Sequence, residues 1–174
     1  MDTITPLISA DKIQRRVRDL AREIDRDYDG SPLTLIGVLN GSFIFLSDLV
    51  RNLKTQCVID FVAAASYGDG TTPGELKLLN KPAVDIEGQR VLIVDDILDT
   101  GRTLALIRDV LAEQSPRDLR ICVLLSKQCE RQAEVDVDYT GFDVPDRFVV
   151  GYGLDYAGRY RQLGYVGVIQ TTGG

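Results

Sequence analysis

The stretch Val91–Leu104 reads VLIVDDILDTGRTL. Four apolar residues, Val91 to Val94, lead into two adjacent carboxylates, Asp95 and Asp96. Two more apolar residues follow, and then Asp99-Thr100-Gly101-Arg102-Thr103. An unbroken apolar run is the pattern of a strand buried on both faces. The spacing predicts a strand over Arg90–Val94 that ends in the acidic pair. It also predicts a helix over Thr103–Glu113, with Leu104, Ile107 and Leu111 on one face. The junction then presents backbone N–H groups at a helix N-terminus, with the Thr100 and Thr103 hydroxyls beside them. That is an anion site, and Gly101 lets a ligand approach the backbone closely. Carboxylates next to an anion cradle would repel a bare anion. A sugar phosphate reconciles the two, with phosphate in the cradle, hydroxyls on the carboxylates and Mg²⁺ bridging to a pyrophosphate.

Working outward, Ser9–Tyr28 has the period of an amphipathic helix, with Ser9 as its cap and Ile13, Val17, Leu20 and Ile24 on one face. Leu33–Leu39 reads as a buried strand, Asn40-Gly41-Ser42 as a turn and Phe43–Asn52 as a helix. Val58–Ala65 and Leu119–Leu125 are further strands, with short later ones at Phe148–Val150 and Val166–Ile169. Tyr67–Pro73, rich in Gly and Thr, reads as a mobile loop. Apolar strands alternating with amphipathic helices predict a parallel sheet covered on both faces. Ligands of such sheets bind beyond the carboxyl ends of the strands. That directs attention to Asn40-Gly41-Ser42, Asp95 to Thr103, and Lys127.

Composition narrows the chemistry. With 174 residues the chain suits one domain over 1–174. It holds 26 acidic and 20 basic residues, a net charge of −6, which argues against nucleic acid as a partner. It has no histidine, so Ser-His-Asp and Cys-His hydrolysis and His-ligated metals are excluded. Cys57, Cys122 and Cys129 are odd in number and read as reduced thiols of a cytoplasmic protein, the first two as core fillers. No export signal and no apolar run of about 20 residues is present, so no membrane association is expected. No G-x-x-x-x-G-K-[ST] occurs. A receiver-type acidic pair would follow the first strand, not the third or fourth.

The segment Asp95-Asp96-Ile97-Leu98-Asp99-Thr100-Gly101-Arg102-Thr103 resembles the phosphoribosyl-pyrophosphate (PRPP) motif of type I phosphoribosyltransferases. LIGVLNGSFIF, Leu35–Phe45, resembles the pyrophosphate loop of the hypoxanthine-guanine phosphoribosyltransferases. Ser66-Tyr67-Gly68 resembles the start of their catalytic loop. Leu124–Lys127 and the run VPDRFVVGYGLDYAGRYRQL resemble their purine-binding part. The resemblance spans about residues 7 to 170 and points to the bacterial branch. It implies a central, mainly parallel sheet flanked by helices, with a small hood built from the chain ends. The activity it implies is transfer of 5-phosphoribosyl from PRPP to N9 of a 6-oxopurine, releasing pyrophosphate.

Site roles follow from the same resemblance. Asp95 and Asp96 would hold the ribose hydroxyls directly or through Mg²⁺, and Asp99 would be the general base at N7. Asp99 also has the chemistry of a helix N-cap. Thr100, Gly101, Arg102 and Thr103 would bind the 5-phosphate. Leu39, Asn40, Gly41, Ser66, Tyr67, Arg131 and Arg161 would face pyrophosphate. Lys127 would donate to O6, Phe148 would stack on the base, Val149 would read its edge, and Asp155 would bind Mg²⁺ through water. Residues 66 to about 80 would be disordered without ligands. The Leu39–Asn40 peptide would be cis when pyrophosphate is bound. Asn40 departs from the family, which places Lys or Arg there. A homodimer or homotetramer is the default. The competing reading is an RNA-binding pyrimidine-operon regulator with uracil phosphoribosyltransferase activity, which needs a basic patch.

Overall fold

A computed structural model describes residues 2–67 and 75–170. The elements run β1 (Thr3–Ile8), α1 (Ala10–Tyr28), β2 (Leu33–Leu39), α2 (Phe43–Asn52), β3 (Cys57–Tyr67) and β4 (Glu75–Leu78). They continue with β5 (Arg90–Leu98), α3 (Arg102–Ala112), β6 (Asp118–Gln128), β7 (Tyr139–Pro145), β8 (Val149–Val150) and β9 (Val166–Gln170). Six strands form one sheet in the order β4-β3-β2-β5-β6-β7, and β1-β9-β8 form a second. In the large sheet only β4 runs antiparallel. The second sheet joins the two ends of the chain, as the hood of the expected fold.

The continuous apolar runs are explained by two cores, one on each face. Leu33 and Leu35 of β2, Leu92 and Val94 of β5, and Cys122 and Leu124 of β6 pack with Ile13, Val17, Leu20 and Ile24 of α1. Their neighbours Ile36, Val38, Val91, Ile93, Ile121 and Val123 pack with Leu104, Ile107 and Leu111 of α3. Alternate residues of each strand thus serve opposite cores. Ser9 caps α1 by accepting from the Lys12 N–H at 3.4 Å. Cys122 is fully buried, whereas Cys57 is only half-buried at the core edge.

Several boundaries differ from the sequence reading. β5 extends to Leu98, so the acidic pair lies inside the strand, where Asp95 pairs in register with Val123 and Leu98 with Ser126. β6 likewise carries Lys127 within it. Neither β1 nor β7 was expected. β1 holds Pro6 and buries only Ile8, and β7 is an edge strand with Gly141 and Pro145; both lack a strand's apolar signature. Of the segment expected to be disordered, Glu75–Leu78 pairs with β3, and Asn80 bonds the Ala63 N–H and Phe61 carbonyl at 2.8 Å each. Residues 68–74, which hold most of the expected mobile loop, lie outside the described residues. No helix among the described residues is long and apolar enough to cross a membrane.

Asp48 of α2 ties the second sheet's neighbourhood to the helices. It accepts from Gln14 of α1 at 2.7 Å, from the Tyr152 hydroxyl and from Arg51. Burial pushes its carboxyl up, but the bonds from Tyr152, Gln14 and Arg51 outweigh burial and hold it below the ordinary value. A carboxylate held low stabilises the fold above its unfolded pKa of about 4 and loses that contribution as pH falls through the lowered value. Asp48→Ala should therefore cost on the order of 2 kcal/mol at pH 7. Thermal melts of both proteins from pH 7 to pH 2.5 should show the gap in Tm closing below about pH 4. A gap independent of pH would refute this account.

Candidate active site

The carboxyl ends of β2, β5 and β6 lie side by side in the large sheet. At the end of β2, the Ser42 hydroxyl is buried and donates to the Val38 carbonyl at 2.6 Å, which folds residues 38–42 back on themselves. The Leu39–Asn40 peptide is cis. Gly41 is pressed against β5, and a Cβ there would lie 1.7 Å from Asp96 Oδ2. Gly153 presses on Gly41 from the other side, its φ is +103°, and a Cβ there would lie 2.1 Å from the Gly41 carbonyl oxygen. Only glycine fits either position.

Asp95 is 6% exposed, and its Oδ1 accepts the Asp96 N–H at 2.8 Å. Burial, with the neighbouring Asp96 added, raises the Asp95 carboxyl well above its ordinary value. Burial raises Asp96 as well. Two acids crowded out of water resist carrying two charges. A cleft of about 240 Å³ opens above them, lined by Leu39, Gly41, Asp95, Asp96, Asp99, Thr100, Gly101 and Thr103. It ends on the N-terminus of α3, whose N-cap is Gly101 at φ +86° with no side-chain cap bond. Asp99 therefore does not cap this helix, contrary to that alternative. Among the described residues no side chain caps α3 and its first turn holds no acidic residue, which suits an incoming anion.

The Asp99 side chain is 49% exposed and is held instead by the end of β6 and the segment that follows it. Lys127, 11% exposed, donates to Asp99 Oδ2 at 2.8 Å and lies 3.9 Å from Asp146. The Cys129 thiol donates to Asp99 Oδ1 at 3.3 Å. Arg131 donates to the carbonyls of Leu98 and Asp99 and to Ser126 Oγ. The N–H groups of Gln132 and Ala133 reach the Thr100 carbonyl at 2.9 and 3.2 Å. A Cβ on Gly101 would meet the Ala133 carbonyl oxygen at 2.4 Å. Residues 126–133 thus wrap the turn that the sequence marked as the phosphate cradle.

A second cleft of about 210 Å³ adjoins the first along Asp96, Ile97 and Asp99. It is closed by Lys127, Phe148, Val149 and Asp155. Phe148 is 53% exposed and stands edge-on to Tyr156, with centroids 5.4 Å apart at 86°. It is not core, and its ring is open to a planar ligand. Val149 is buried and its backbone pairs with Val168. Asp155 takes Arg161 at 2.8 Å on one oxygen and the Gly158 N–H at 2.7 Å on the other. Arg161 also donates to the Gly153 carbonyl at 2.7 Å.

The structure thus gathers Leu39, Gly41, Asp95, Asp96, Asp99, Thr100, Gly101 and Thr103 around one cleft, and Lys127, Phe148, Val149 and Asp155 around the next; Arg102, the first residue of α3, is not in the lining of either. Asn40 is exposed between two residues of the first cleft's lining or its loop. Ser66 and Tyr67 end β3, with their backbones paired to Leu76 and Glu75. Arg131 lines a different depression with Arg108, Glu134 and Asp136. Its bonds brace the turn at Leu98 and Asp99 from that side. The sequence reading missed Cys129 and Gly153. A lone cysteine in a polar run gives no signal, and one glycine in YGLDYAG does not declare which backbone it must touch.

A family model described as the phosphoribosyl transferase domain matches residues 8–157. The hypoxanthine phosphoribosyltransferase of Salmonella typhimurium is 44% identical over 170 residues, covering 96% of each chain. A hypoxanthine-guanine phosphoribosyltransferase structure from Bacillus anthracis superposes with a TM-score of 0.91 at 38% identity, covering 98% of this chain and 100% of that one. A ternary substrates complex of a variant Trypanosoma cruzi hypoxanthine phosphoribosyltransferase gives 0.89 at 37% identity, covering 95% and 94%. Two adjoining clefts built on a PRPP-type turn, in a chain this similar to these proteins over its whole length, mean that it belongs to the hypoxanthine phosphoribosyltransferase family.

Proposed function

We propose that this chain transfers the 5-phosphoribosyl group of PRPP to N9 of hypoxanthine, and of guanine as a second substrate, yielding IMP or GMP and pyrophosphate. The observation that carries the reading is the meeting of two clefts at Asp96–Asp99. One offers helix-terminal amides and acids for a sugar phosphate. The other offers an open aromatic ring and an ammonium for an oxopurine. Incubation with PRPP, Mg²⁺ and hypoxanthine should release pyrophosphate and form IMP. Turnover of uracil instead would favour the operon-regulator reading, which the net charge of −6 already disfavours.

Thr100, Gly101, Arg102 and Thr103 receive the 5-phosphate, and Leu39, Asn40 and Gly41, with Ser66, Tyr67 and Arg161, receive the pyrophosphate. Lys127 donates to O6, an acceptor that a donor-only ammonium suits. Phe148 stacks on the base, and the Val149 backbone reads its edge. Asp99 accepts the N7 proton as general base. The site suits Mg²⁺ in its donors. Asp95 and Asp96 are hard oxygen ligands whose crowding a cation relieves. Among the described residues no ready-made group of three or more ligands is gathered, so substrate oxygens and water would complete the shell, as Mg²⁺ prefers. When bound, the ion would supply charge neutralisation for the leaving pyrophosphate. Both Asp155 oxygens are already engaged, so Asp155 would act on the ion through water. With a cation compensating their crowding, the carboxylates of Asp95 and Asp96 would favour positive charge developing at the ribose C1.

We also propose one catalytic unit over residues 1–174, acting in the cytoplasm with its three thiols reduced. It works as a homodimer or homotetramer. An apolar groove of Phe43, Leu46, Val50, Ile59 and Phe61, with Phe43 and Ile59 exposed, supports self-association. Light scattering should give a multiple of 19.2 kDa.

Asp99→Asn should fold normally and lose kcat by roughly 10²–10⁴-fold. Near-wild-type kcat would sink the base assignment. Gly41→Ala drives a methyl into Asp96 and should raise the KM for PRPP at least about tenfold, a loss of about 1.4 kcal/mol in binding. Gly164→Ala, which meets nothing within 4 Å, should leave it unchanged. Equal effects of the two would refute the tight loop contact. Asn40→Lys adds a cation to the pyrophosphate loop and should tighten PRPP several-fold at low salt, about 1 kcal/mol. Calorimetry showing no gain would mean that this side chain points away from the ligand.

A further inference from the structure

Asp99 stands at a turn, half exposed, on a side chain with free rotamers. A base must hold its lone pair within hydrogen-bond reach of one proton. Both of its oxygens are engaged, Oδ2 by Lys127 at 2.8 Å and Oδ1 by the Cys129 thiol at 3.3 Å. We propose that Cys129 is a positioning residue for the reaction, its S–H holding the Asp99 carboxylate in the orientation that meets purine N7. This rests on the assignment of Asp99 as the base.

Lys127 alone does not hold that orientation through the reaction. Its ammonium is the donor assigned to purine O6, so its grip on Oδ2 is shared once the base arrives. Cys129 has no such second duty. The sulfur is itself fixed, because Arg131 donates to it at 3.5 Å while also donating to the Leu98 and Asp99 carbonyls and to Ser126. The thiol keeps its proton, since desolvation and the Asp99 carboxylate both raise its pKa and outweigh Arg131. It is therefore a donor, not a nucleophile. The Asp99 backbone carbonyl, at 3.5 Å, is its longer alternative acceptor.

The groups facing this carboxylate and its partners are Lys127, Cys129, Arg131 and Asp146, with Asp96 and Asp155 across the adjoining cleft. Removing the thiol leaves Asp99 Oδ1 without the donor that fixes its direction. Cys129→Ala should lower kcat about 3–10-fold, the worth of one weak donor to a charged acceptor. The KM for PRPP should stay within about twofold, because the phosphate cradle is untouched. Cys129→Ser retains a donor and should restore kcat to within about twofold.

The deciding experiment measures steady-state IMP synthesis from pH 5 to pH 9 for wild type, both Cys129 variants, Asp99→Asn and the Asp99→Asn/Cys129→Ala double variant. The proposal expects the double variant to match Asp99→Asn, since a carboxylate no longer present cannot be oriented. An alanine variant with wild-type kcat would overturn it, as would one whose loss lies in the KM for PRPP rather than in kcat. So would a loss that serine fails to rescue, or one that adds in full to that of Asp99→Asn, because either would mean the thiol only packs. Full activity of Asp99→Asn itself would overturn the base assignment, and that outcome is read from a different protein.

Discussion

Asp95 and Asp96 are consecutive residues of a strand whose preceding four positions are entirely apolar and buried. Each carboxyl is raised by burial, and Asp95 also by its neighbour. Such a pair costs stability in any protein that merely has to fold. It persists because the parallel strands around it supply far more apolar burial than the pair removes. Val91 to Val94 feed two separate cores, and β2 and β6 flank β5 with runs of the same kind. The arrangement stores a demand for positive charge and hydroxyl donors at one place on the sheet. In the proposed reaction a ribose ring with cationic character and a divalent ion would meet it.

The pair also dictates its surroundings. Asp96 leaves no room for a side chain at position 41, and Gly41 in turn leaves none at position 153. The loop at Gly41 is therefore pressed between the Asp96 carboxylate on one side and the backbone of Gly153 on the other. No loop of this site is free to choose its distance from the others. That fixes how far the leaving group, the ribose and the base can lie from each other, and reactions between bound partners depend on such spacing.

How much of this the sequence carries depends on whether a residue's task is local. Val91–Leu104 could be read because strand, acid pair, turn and helix are consecutive, and each has its own pattern. The same holds for Leu33–Leu39 and for α1 with its Ser9 cap. β1 and β7 are edge strands whose stability comes from their partners rather than from their own composition, so Pro6, Gly141 and Pro145 hid them. The strand ends were read short at Val94 and Leu125 because polarity at Asp95 and Ser126 looks like a boundary, while the backbone ladder continues past both. Arg131 looked like a pyrophosphate ligand because a cation near the site invites that role. Its hydrogen bonds go to carbonyls that are 33 and 32 residues back in the chain, a pairing that no local pattern encodes.

The segment after β6 shows what this non-locality does for chemistry. Lys127, Cys129, Arg131, Gln132 and Ala133 all bond the turn of Leu98 to Thr100. A turn that leaves its helix amides open to a phosphate cannot use those amides to hold itself in shape. In the proposed roles its own side chains are likewise committed, since Thr100, Thr103 and Asp99 would face ligand. The rigidity has to come from a neighbouring strand end. In a parallel sheet the next strand ends on the same side at nearly the same height. The fold thus supplies the brace where the site needs one.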